Sequence, residues 1–164
     1  MKELIPTIDA WRADGNKVAI ATVVKVEGSA PRPVGASMAV SSGGDLAGSV
    51  SGGCVETAVF EEAQDVLRTG TPKLIRYGIT DEMAWDVGLA CERYDRGLRR
   101  ARGSGGGIGI VSLSRRAEIY EALKAAIDAG QPCGSATVVR GPGAGAKLAL
   151  VPAGAIGSIG SRFN

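Results

Sequence analysis

The spacing of apolar residues changes several times along the chain, and each change marks a predicted element. Leu4, Ile5, Ile8 and Trp11 fall at helical spacing with Gly15 just beyond them, which predicts a helix over residues 4–13 lying as a lid on a sheet. From residue 18 to 26 the pattern becomes β-branched on both faces (Val18, Ile20, Val23, Val24, Val26), as expected of a central strand covered on both sides. Gly28, Pro31, Pro33 and Gly35 remove donors and favour turns, so residues 28–35 read as a loop. Residues 36–40 and 45–50 flank Ser42, Gly43 and Gly44, a hairpin signal. The clearest helix spans residues 54–69, with Val55, Val59, Ala63, Val66 and Leu67 on one side, Glu56 in its first turn, and Gly70 and Pro72 after its end.

Beyond it, residues 73–77 read as a short strand and 81–87 as one or two helical turns. Residues 92–107 carry five arginines (Arg93, Arg96, Arg99, Arg100, Arg102), few core residues and a glycine-rich end, which reads as an exposed basic loop. A helix over residues 117–129 turns Ile119, Leu123, Ala126 and Ile127 inward and closes at Gly130 and Pro132. Strands are predicted at 135–139 and 147–151, around Gly141, Pro142 and Gly143, with a last one at 155–159. The sum is an α/β chain without an internal repeat or a linker long enough to separate two domains.

Composition narrows the chemistry. With 164 residues and 45% hydrophobic content, the chain has material for one core. A net charge of +2 makes a weak field and gives no reason to expect nucleic acid or an acidic membrane as partner. Apolar runs stop short of membrane-spanning length and the N-terminal residues lack a signal-peptide core, so the expected location is the cytoplasm. Cys54, Cys91 and Cys133 are odd in number and far apart, which suits free thiols in a reducing compartment. The chain has no histidine. That removes Ser-His-Asp and Cys-His catalysis and most catalytic zinc sites, and a non-enzyme is expected.

The segment from Gly48 to Glu56 is the main candidate for chemistry. Gly52 and Gly53 permit a sharp turn and leave backbone N–H groups uncovered at the positive end of a helix, where an anion binds. Cys54 at that position would have a lowered thiol pKa. The same spacing also fits a tight strand-to-helix connection with a small buried cysteine. Arg32, held between two prolines, suits a phosphate or carboxylate, or is a solvated loop arginine. Asp81, Glu82 and Asp86 read as a polar helix face, Cys91 as a core thiol and Cys133 as structural. No Gly-Lys-Ser/Thr succeeds the glycines, so a Walker A loop is excluded. The loose glycine pattern over residues 103–109 has no preceding strand or following helix to make it a dinucleotide site.

Five blocks in order give the chain a resemblance: residues 21–24, 28–35, 48–56, 76–78 and 86–91. Together they resemble the xanthine dehydrogenase accessory family, XdhC/CoxI. The resemblance is continuous over about 18–91 and resumes weakly over 130–147. It implies an α/β fold, a mixed β-sheet with flanking helices, forming a single domain over residues 1–160 of the family's N-terminal type, with a second helix-and-strand part at 117–159. The C-terminal Rossmann-type domain usual in the family is not expected. The resemblance further implies a chaperone that binds molybdenum cofactor, a pterin with a phosphate, and assists its insertion into a molybdenum hydroxylase of xanthine or carbon monoxide dehydrogenase type. The implied cofactor-binding residues are Arg32, Ser51, Gly52, Gly53, Cys54, Glu56 and Cys91, with Cys54 and Cys91 as soft contacts to molybdenum. A cysteine desulfurase and a second copy of the chain are further expected partners, the latter because apolar strands near the C-terminus lack an obvious cover. Two other readings stay open, a cysteine-dependent sulfur carrier and a truncated member serving only as an interaction module.

Residues 92–114 depart from the family, which continues after the position of Cys91 with two glycines and an alternating apolar strand. Codons exist for Glu92 to Arg100 that, read one base later, spell Ser-Gly-Thr-Ile-Glu-Val-Phe-Val, so a pair of compensating frameshifts is expected to have produced the segment. Resequencing the DNA across the Cys91 codon tests this, and a frame that encodes these arginines without a shift overturns it.

Overall fold

A computed structural model describes residues 2–26, 30–53, 55–78, 105–113, 117–138 and 146–159. Strand β1 (Val18–Lys25) is the centre of the fold. It pairs antiparallel with β2 (Ser37–Ser41) on one side and with β5 (Gly105–Ser112) on the other. The edges are β3 (Leu46–Gly48) on β2 and β4 (Lys73–Gly78) on β5, giving the order β3-β2-β1-β5-β4. A second, three-stranded sheet is built from β6 (Gly134–Thr137), β7 (Lys147–Val151) and β8 (Gly154–Gly157). The helix-flanked sheet expected from the sequence is thus present, and every pairing among the described strands is antiparallel.

The two-sided burial read from β1 has a simple cause: its odd and even residues serve different cores. Ala19, Ala21 and Val23 join Met38, Val40, Ile108 and Ile110 under helix α2 (Glu56–Thr69), which contributes Val59, Ala63, Val66 and Leu67. Val18 and Ile20 face the other way, into a cluster with Leu4, Ile8 and Ala39 and with Tyr120 of α3 (Ala117–Asp128). Helix α1 (Ile5–Ala13) is therefore the expected lid, and α3 shares its face of the sheet. A polar seam joins the two helices. Tyr120 donates to Asp9 at 2.9 Å, Lys124 pairs with Asp9 at 2.6 Å and Arg12 with Glu121 at 2.5 Å. The Lys124 ammonium, outweighing partial burial, holds the Asp9 carboxyl below its ordinary range.

Helix α2 ends as the sequence predicts, with Gly70 at φ 69° and its N–H on the Val66 carbonyl at 2.8 Å. Its first regular residue is Glu56, two residues later than expected. The larger difference is β5. The glycine-rich end of the expected basic loop enters the sheet between β1 and β4, because Ile108 and Ile110 alternate onto the α2 face while glycines occupy the positions between and before them. The glycine pattern over 103–109 thus runs into a strand instead of a phosphate turn. Residues 81–87 and 92–104, with the expected helical turns and all five arginines, lie outside the described residues.

Cys133, expected as a structural residue, is exposed just before β6, because the chain leaving Gly130 runs over the surface to reach the small sheet. Helix α3 covers part of that sheet: a Cβ at Gly157 would lie 2.7 Å from Ile119 Cδ1. Leu150 remains 52% exposed.

Candidate functional site

The segment between β3 and α2 starts at Gly48, whose φ of +82° and close approach to the neighbouring strand redirect the chain out of the sheet. Val50 then plugs into the core under α2, 4% exposed, and anchors the turn beside it. Ser51, Gly52 and Gly53 form that turn, with φ of 89° at Gly52 and 123° at Gly53. Both glycines are exposed and Ser51 and Glu56 are half-buried.

The N–H groups of this turn converge, as expected of an anion site, and the anion is the chain's own. Glu56 Oε1 accepts from the N–H of Val50 at 3.2 Å, Ser51 at 2.9 Å and Gly52 at 3.0 Å, and from the Ser49 hydroxyl at 2.7 Å. Its Oε2 accepts from the N–H of Gly53 at 2.8 Å and from the Ser51 hydroxyl. Ser51 Oγ in turn accepts from the N–H of Val55 at 3.1 Å, and Ser49 Oγ from that of Gly52 at 2.9 Å. Partial burial pushes the Glu56 carboxyl up, but the Ser51 and Ser49 hydroxyls and the N–H groups of Ser51 and Gly53 outweigh it and hold the group far below its ordinary value. Among the described residues, Val55 at the N-cap of α2 makes no side-chain capping hydrogen bond.

This arrangement decides what the turn can hold. A phosphate on the N–H groups of Ser51, Gly52 and Gly53 would have to expel the Glu56 carboxylate, so these groups do not fit an added anion while Glu56 is in place. The sequence signal was the interval from Gly53 to Glu56, which is that of the returning bond in a capping box; the favourable charge of Glu56 in the first turn explained the residue without it. Cys54 and Cys91 lie outside the described residues. The two neighbours of Cys54 in the chain are nonetheless fixed, Gly53 through Glu56 and Val55 through Ser51.

Arg32 is exposed, on a loop tied back to β1 by Gly35 N–H to Val23 O at 2.8 Å and Val23 N–H to Ala36 O at 2.9 Å. A Cβ on Gly52 would stand 3.4 Å from Pro31 Cβ, so this loop and the Ser51–Gly53 turn are neighbours. The structure thereby brings Arg32's loop beside Ser51, Gly52, Gly53 and Glu56, a juxtaposition that no spacing in the sequence reveals. Among the described residues there is no cluster of three or more acidic or cysteine side chains placed to hold a metal ion. No helix among them is long and apolar enough to cross a membrane.

Known proteins share both the sequence and the fold. Residues 11–78 match the XdhC and CoxI family. The chain is 40% identical over 86 residues to a probable xanthine dehydrogenase subunit of Bacillus subtilis, covering 51% of this chain and 26% of that protein. It is 41% identical over 78 residues to the molybdenum cofactor insertion chaperone PaoD of Escherichia coli, covering 47% of this chain and 24% of that one. The chain thus spans about a quarter of the length of these relatives. A crystal structure of a xanthine dehydrogenase from Bacillus halodurans shares the fold, with a TM-score of 0.64 at 19% identity over 96% of this chain and 45% of that one.

Proposed function

Because residues 11–78 of the chain belong to the XdhC and CoxI family, we propose that the protein serves in an accessory role, binding molybdenum cofactor and assisting its insertion into a molybdenum hydroxylase. The match over residues 11–78 carries this reading, and the name of the PaoD relative supports it. In this reading Arg32 faces the cofactor's phosphate, and the thiols of Cys54 and Cys91 are soft contacts for molybdenum or its sulfido group. Ser51, Gly52, Gly53 and Glu56 form the frame that presents Cys54, since their mutual hydrogen bonds fix the chain immediately before and after it. The frame is preorganised, so ordering it costs nothing at the moment of binding.

The test is to purify the chain from cells that make molybdenum cofactor, oxidise it and read pterin fluorescence, then repeat with Arg32→Ala, Cys54→Ala and Cys91→Ala. The parent is expected to carry molybdopterin, and each variant to bind it about tenfold more weakly, the value of one lost contact near 1.4 kcal/mol. A parent that neither carries the pterin nor takes it up on addition overturns the reading. A Cys54→Ala variant that binds as tightly as the parent removes that cysteine from the site.

A further inference from the structure

Between α3, the small sheet and the face of the five-stranded sheet turned away from α2, the described residues line a cavity of about 400 Å³, a size typical of small-molecule sites. Thr22, Ser37 and Gly109 of the large sheet lie on one wall, with Leu123 of α3 and Lys147 of β7 on the other.

The hydroxyls on the first wall have a fixed polarity. A serine or threonine hydroxyl has one hydrogen to give and two lone pairs to offer. Ser37 Oγ gives its hydrogen to the Gly35 carbonyl at 3.1 Å. In its contact with Thr22 Oγ1, at 3.4 Å, Ser37 is therefore the acceptor and Thr22 the donor. With its hydrogen turned to Ser37, the Thr22 hydroxyl offers the cavity its lone pairs. The bonds thus run one way, through Thr22 and Ser37 to the Gly35 backbone, and the open end of the row accepts.

Beside Thr22 the wall is bare. Gly109 is its partner on β5, and Ile108 and Ile110 project to the α2 face, so β5 offers no side chain to the cavity at this point. The backbone does not demand glycine there. Its φ is not in the left-handed region, and among the described residues an added Cβ would meet only Val24 Cγ1, at an ordinary 3.5 Å. Val111, further along β5, and Ile119 and Leu123 of α3 add apolar surface around this spot.

We propose that this cavity binds a flat, mostly apolar aromatic molecule carrying one N–H or O–H donor on its edge, with the ring against the Gly109 backbone and the donor on Thr22 Oγ1. A ring fits against the bare backbone of a strand glycine, where a side chain would hold it off. A ligand of the same shape without the donor strips water from the Thr22 lone pairs and returns nothing to them, which costs affinity. The inference concerns the face of the sheet opposite α2 and does not depend on the cofactor reading.

The test titrates the whole chain against 2-phenylindole and 2-phenylbenzofuran, two flat fluorescent molecules of nearly one shape in which the N–H donor of the first is a ring oxygen in the second. One saturable site for the indole is expected, with the benzofuran bound about tenfold more weakly, the value of one neutral hydrogen bond. Thr22→Val keeps the shape of the side chain and removes the acceptor, so it should weaken the indole about tenfold and bring the two probes within about twofold of each other. Gly109→Val should abolish saturable binding of both while the circular dichroism and thermal midpoint of the fold are kept, and Leu123→Trp, filling the space from α3, should do the same if the valine variant does not fold. Absence of a single saturable site in the parent overturns the proposal. So does equal binding of the two probes by the parent, an unchanged preference in Thr22→Val, or undiminished binding in the folded filled variant.

Discussion

Glu56→Gln is expected to lower the unfolding free energy by about 2 kcal/mol and to release the Gly52 and Gly53 amides to hydrogen exchange. The substitution is nearly isosteric, so no cavity confounds it. It replaces an acceptor-only carboxylate, which takes four N–H groups and two hydroxyls, with an amide that turns its own donor against some of them. The charge lost is one that hydrogen bonding stabilises. A carboxyl held below its ordinary value of 4.5 contributes its full share of stability above that pH and loses it as the pH falls further. The parent's urea midpoint should therefore decline below about pH 4.5 by more than that of Glu56→Gln. Equal amide protection in the two proteins, or an identical acid decline, would show that Glu56 does not hold the turn.

Gly48→Ala is the second large effect, expected to cost about 3 kcal/mol or more. Two penalties fall on one methyl group. At φ +82° an L side chain is strained, and the new Cβ would lie 2.5 Å from the Ser37 carbonyl oxygen, in the backbone of the adjacent strand. Leu4 Cδ2, 3.1 Å away, limits relief from the other side. Neither neighbour is the free end of a flexible surface chain, so β3 would have to leave its register with β2, in which Met38 faces Gly48. Thermal unfolding checks this, and a midpoint within a degree or two of the parent's would contradict it.

The two positions show which kinds of information the linear pattern carries. Elements whose side chains satisfy one period were legible: β1 with both faces apolar, the hairpin around Ser42 to Gly44, and α2 with its glycine stop. Strand β5 is hidden in the sequence because glycine contributes nothing to a hydrophobic alternation, so Ile108 and Ile110, after three glycines and with a fourth between them, show no clear strand pattern. The sheet supplies what the local sequence lacks, through pairing on both sides. At the candidate site the tendency to bind an anion was readable from Gly52 and Gly53, but not that the anion is Glu56, because charge at a helix start is favourable wherever the side chain points. The approach of Pro31 to Gly52 joins residues 21 apart and leaves no trace in spacing. The cavity lined by Gly109 and Lys147 is still less local, since its walls belong to two sheets and a helix.

The position of β5 also sets how the chain can be assembled. β4, at residues 73–78, lies inside the stretch that matches the XdhC and CoxI family, yet its only strand partner among the described residues is β5, at 105–112. β1 likewise has one flank closed by β5, across some ninety residues of chain. The β1–β2–β3 meander can form from near neighbours, whereas β4 joins the sheet, among the described residues, through that later strand, and closing the long loop from β1 to β5 is the entropically slow event. The stretch that matches the family model is therefore not a closed sheet: excised on its own, it would leave β1 with an open edge and β4 without the strand partner it has among the described residues.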